Sequence, residues 1–149
     1  MVRCGVAMET VRRLTFVSDA AEAKMLELAE VLADFRSYGE IDDRLEVTPL
    51  TRTSEGETAL HWMATLGDAN AIDLLLAAGA NINATDNEGN TPLHAAVASR
   101  QVVAVAKLIA GGAKIDLQNR AGLTPMHVAK VDGFEPVINL LRVVDLPRM

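Results

Sequence analysis

A 33-residue spacing governs most of this chain. Gly56, Gly89 and Gly122 stand 33 apart, and so do Thr58, Thr91 and Thr124, then His61, His94 and His127. Gly79 and Gly112 keep the interval, as do Ala80 and Ala113, and Asn83 and Asp116. Self-similarity at a fixed period of this length marks an array of small supersecondary units. No unit buries its apolar face alone, so neighbours must stack into one core.

Residues 86–118 show what one unit is. Asp86-Asn87-Glu88-Gly89-Asn90 is turn chemistry, with a glycine free to take positive φ. Thr91 suits an N-cap, and Pro92 fits the first helical position, where its missing N–H is no loss. Leu93, Ala96 and Val97 make one short apolar face. Arg100-Gln101 interrupts it, and Val102, Val105, Leu108 and Ile109 recur at helical spacing as a second helix. Gly111-Gly112 then supplies a left-handed terminus. The unit is turn, helix, turn, helix. Aromatics make up only 3% of a chain that is 50% hydrophobic, so small aliphatic side chains must form the core.

Gly-Asn-Thr-Pro-Leu-His-Ala-Ala at 89–96, followed by Leu-Ile-Ala-Gly-Gly-Ala at 108–113, resembles the ankyrin repeat. Glu57-Thr58-Ala59-Leu60-His61 with the run Leu74 to Asn83 resembles it too, and so does Gly122-Leu123-Thr124-Pro125-Met126-His127 with Val137, Ile138, Leu140 and Leu141. The resemblance implies an all-α ankyrin-repeat solenoid, with repeats at 54–85, 86–118 and 119–149, the last including the C-terminal tail. It departs from the family pattern in places. Ala59 replaces the usual proline, and the third copy has no closing Gly-Ala, so the array is expected to stop after Leu141. Arg100 stands where Gly67 and Gly133 stand in the other copies, which asks a non-glycine to end a helix in the left-handed conformation.

Repeat arrays need their terminal faces covered. Ser18-Asp19-Ala20-Ala21-Glu22 has capping-box spacing, and Met25, Leu28, Ala29, Leu32 and Phe35 predict an apolar face as far as Tyr38-Gly39. Residues 1–53 are therefore expected to be an N-terminal helical cap and loop. Within them, 10–39 reads either as a degenerate repeat or as a small independent unit, and Thr10–Val17 as either a short helix or a strand.

Several functions are excluded on this reading. Residues 1–53 and 54–149 each carry seven basic and ten acidic residues, −3 apiece within the total of −6, so neither part is a basic arm for nucleic acid. An acidic surface favours a basic partner. Cys4 is the sole cysteine, which rules out an intrachain disulfide and a thiolate cluster and fits the cytoplasm. No apolar run approaches the ~18 residues of a membrane span. No nucleophile elbow or phosphate-cradling loop is present, so catalytic residues and cofactors are expected to be none. The three histidines invite a metal reading. Successive repeats place them roughly 10 Å apart, too far to share an ion, so no metal site is expected. The resemblance implies instead that each histidine ties its loop to its helix.

The resemblance also implies protein binding on a concave surface made by loop tips and first helices. Carried onto this sequence, the candidate contact residues are Glu55, Glu57, Asn87, Glu88, Asn90, Arg120 and Leu123 at the tips, and Leu66, Ser99, Arg100 and Asp132 at the helix ends. These positions are expected to serve recognition rather than the fold. Trp62, on the inner side, reads either as a half-exposed anchor or as packing beneath the N-terminal helix. A short acidic array resembles the ankyrin-type immunity proteins that cover a toxin's active site. The expectation is a cytoplasmic protein, monomeric on its own, that neutralises a basic toxin or enzyme; a general adaptor that binds without inhibiting is the alternative.

Overall fold

Thr91 shows how the local chemistry becomes structure. Its φ of −88° and ψ of 166° hold it extended just before Pro92, and its Oγ1 accepts the His94 backbone N–H at 3.4 Å. Thr124 does the same for His127 at 3.3 Å. The helices so started are short because each meets a positive-φ residue: Gly67 at +77°, Arg100 at +59° and Gly133 at +66°. Arg100 is the one described non-glycine with positive φ, in agreement with its place in the period.

The computed structural model describes residues 19–38, 41 and 47–145, without the side chains at 19–22 and 38. Helix α1 spans Asp19–Tyr38, α2 Ala59–Leu66, α3 Ala69–Ala77, α4 Pro92–Ala98, α5 Val102–Ala110, α6 Pro125–Asp132 and α7 Glu135–Asp145. Among the described residues there is no strand, only an isolated antiparallel bridge between Arg52 and Thr58. The fold is all-α. Helices α2, α4 and α6 pack side by side as an inner row, and α3, α5 and α7 form an outer row behind them. The core runs between the rows through Leu60, Ile72, Leu75, Leu93, Val105, Leu108, Val137 and Leu141.

Helix α1 packs on α3 and α2 and so covers the first pair. Its buried stripe is Leu28, Val31, Leu32 and Phe35, with Phe35 fully enclosed. The expected face needs correcting at two positions. Met25 is 53% exposed and Ala29 is exposed, while Val31 faces inward in their place. Spacings of three and four from Phe35 select 28, 31 and 32, and Ala29 lies off that line. The capping-box side chains at 18, 19 and 22, the segment 10–17 and the loop 42–46 lie outside the described residues.

Candidate protein-binding surface

Each loop tip is a tight turn closed on itself. Asp86 N–H donates to Asn90 O at 3.0 Å and Gly89 N–H to Asp86 O at 3.0 Å, while the Asp86 carboxylate accepts Glu88 and Asn90 N–H, both at 2.9 Å. Asn119 repeats this with Ala121 and Leu123, both at 3.0 Å. Successive tips are then laced together: Asn87 N–H donates to Glu55 O at 2.9 Å, and Arg120 N–H to Glu88 O at 2.8 Å. The tips thus form a continuous rim. The side chains of Glu55, Asn87, Glu88 and Arg120 are exposed along it.

The histidines hold that rim to the helices. His94 is 2% exposed; its Nδ1 accepts Thr91 N–H at 3.1 Å and lies 2.9 Å from Thr91 Oγ1. An acceptor Nδ1 leaves the proton on Nε2, which donates to Leu123 O in the next loop at 2.9 Å. His61 is arranged alike, with Nδ1 on Thr58 and Nε2 donating to Asn90 O at 2.9 Å. So each imidazole bonds across to the following repeat as well as within its own, a tie the spacing alone did not reveal. Burial lowers the pKa of both rings. His127, with no described loop beyond it, keeps only the Thr124 contacts and is exposed. Among the described residues no group of three or more His, Cys, Asp or Glu side chains is placed to hold a metal ion.

Behind the rim lies a groove of about 320 Å³, open to solvent, lined by Glu57, Asp86, Glu88, Asn90, Ala95 and Ser99 among others, with no lysine or arginine in its lining. Burial raises the Glu57 pKa, and the neighbouring Asp86 and Glu55 carboxylates add to the rise against an opposing hydrogen bond from Trp62. Asp86 was missed as a groove residue. Its signal was the repeat of turn chemistry at 86 and 119, which speaks for loop geometry and hides the side chain's second role. A further cavity of about 420 Å³ at the tips gathers Asn87, Glu88, Asn119, Arg120 and Ala121.

Five nominated positions, Asn87, Asn90, Arg100, Asp132 and Leu123, do more for the fold than expected. Asn87 Nδ2 donates to Ser54 O at 2.9 Å, and Asn90 Oδ1 accepts Asn119 Nδ2 at 3.0 Å, so both amides fasten one loop to the next. Arg100 Nε meets Asp132 Oδ2 at 2.8 Å, and its guanidinium lies 5.5 Å from the Phe134 ring centroid. Both were named separately as helix-end contact candidates; stacking of the repeats pairs them with each other while leaving both side chains exposed. Leu123 is half-buried and its carbonyl is taken by His94, whereas Leu66 is 56% exposed at the far helix ends. Trp62 is half-buried against the core, in an inner column with Ala95 and Val128.

A family profile for ankyrin repeats, in three copies, matches residues 17–119, or 103 of the 149 residues. The chain belongs to the ankyrin-repeat family. The matched span takes in α1 and the first two helix pairs, and the same geometry continues through α6 and α7. Ankyrin repeats are protein–protein interaction modules with a non-catalytic fold, and other proteins are what they bind. No helix among the described residues is long and apolar enough to cross a membrane.

Proposed function

We propose that this ankyrin array recognises its partner through the rim and the groove behind it, and that a basic side chain of the partner enters the groove. The observation that carries this is the set Glu57, Asp86 and Glu88 around one opening that has no cation of its own. A lysine or arginine placed there gains three carboxylates at once and relieves their mutual repulsion. Within this reading residues 1–53 are the leading cap, and 54–85, 86–118 and 119–149 the three repeats.

The finer reading is a cytoplasmic immunity or inhibitor protein that covers the active site of a basic toxin or enzyme. The net charge of −6, the acidic groove and the single cysteine support it. An adaptor that binds without inhibiting would use the same surface. The test begins with cross-linking and co-purification from the native cell, followed by titration calorimetry and an activity assay on the captured protein. Glu88→Lys is expected to weaken binding about tenfold or more with the melting temperature nearly unchanged, since its side chain is exposed and makes only a long 3.4 Å contact with Asn90 Nδ2, while its backbone serves the rim. Unchanged affinity refutes the groove, and binding without loss of the captured protein's activity selects the adaptor.

A further inference from the structure

Helix α5, Val102–Ala110, contains one polar residue in nine, Lys107. A helix apolar all round is ordinarily buried all round. Its inward side is: Ala104, Val105 and Leu108 are enclosed. Its outward side is not. Val103 is 59% exposed, and Ala106 and Ala110, three and seven positions on, are exposed on the same face. The neighbouring outer helices treat the equivalent positions differently. One period away, Val103 and Ala106 correspond to Asn70 and Asp73 on α3 and to Pro136 and Asn139 on α7, so three of the four equivalents are polar. Exposed Ala77, Pro136 and Val143 extend the apolar surface to either side. At its edge lies one exposed ion pair, Lys107 Nζ to Asp73 Oδ2 at 2.6 Å.

We propose that this convex back is an interface between two copies of the chain, with α5 lying antiparallel on its counterpart. The choice of a second copy follows from charge. The face carries both signs, Lys107 with Asp73 on the α3 side and Arg142 with Glu135 on α7, which suits an isologous contact. A two-fold axis crossing α5 near Ala106 brings the two Asp73–Lys107 pairs together, so each ammonium gains the partner's Asp73. A uniformly acidic or basic surface would instead meet a like charge. The dimer replaces the solitary chain expected from sequence, and it leaves both concave faces open, making the assembly bivalent towards its partner. This inference does not depend on the groove reading, and either can fail alone.

Sedimentation velocity on the full chain, taken across two decades of concentration into the submillimolar range, is the test. The mass is expected to rise from 15.9 kDa to twice that value. Ala106→Glu, at an exposed position, should hold it at the monomer with an unchanged circular-dichroism melt. On the other helix Asp73→Lys should do the same by setting like charges together, and Asp73→Lys with Lys107→Asp should restore the dimer. A wild-type chain that stays at 15.9 kDa throughout overturns the proposal. So does a dimer that survives Ala106→Glu, or a charge swap that restores nothing.

Discussion

His94→Ala removes a side chain that joins three segments. Nδ1 holds Thr91 at the start of α4, and Nε2–H holds Leu123 O at the start of the third repeat. The substitution deletes about two hydrogen bonds, each with a net contribution of about 1 kcal/mol, and strands a buried N–H and a carbonyl, so the loss is about 3 kcal/mol. In a chain of this length that lowers Tm by about 6–12 °C. His127→Ala is the internal control. It loses the Thr124 contacts on an exposed loop and no bond to a following repeat, so it should cost about 1 kcal/mol. Urea unfolding followed by circular dichroism and by the fluorescence of the only tryptophan, Trp62, measures both. Equal losses for the two variants would show that the imidazoles act only within their own loops, and the account of how the rim is held would be wrong.

Two more outcomes follow from the same packing. Burial lowers the pKa of His61 and His94 from an ordinary value of 6.5, so the unfolded chain binds protons first. Stability should be complete above about pH 6.5 and fall as the pH drops below it; Glu57, whose pKa is raised, works in the opposite sense in the carboxylate range, and a flat stability profile from pH 7 to 5 refutes the histidine argument. Gly89→Ala should destabilise more than Gly122→Ala in parallel thermal melts. Both positions have left-handed φ, +79° and +77°, costing about 1–2 kcal/mol each, but at Gly89 a Cβ would also fall 3.0 Å from Arg120 N, while at Gly122 nothing lies within 4 Å.

The family and the inner architecture were legible because they depend on interactions that close within one period. Thr before Pro, glycine after a helix, and apolar residues at spacings of three and four act over a few residues, and repetition at 33 confirmed each element. Even Arg100, a non-glycine in a left-handed position, was readable by laying one copy on the next. The candidate recognition surface was only partly so. Glu57, Glu88, Asn90 and Ser99 were named and do meet at the groove, but nothing local announced that Asp86 joins them.

What tertiary structure alone decided lies between repeats. Whether Asn87 faces a partner or Ser54, whether Arg100 is free or rests on Asp132 and Phe134, and which loop carbonyl meets each imidazole all depend on the offset and rotation of one unit against the next. Those two quantities come from how ridges of side chains seat across the stack, a property of two surfaces together. A residue's neighbours along the chain carry the first kind of information, and the second exists only once the repeats have met.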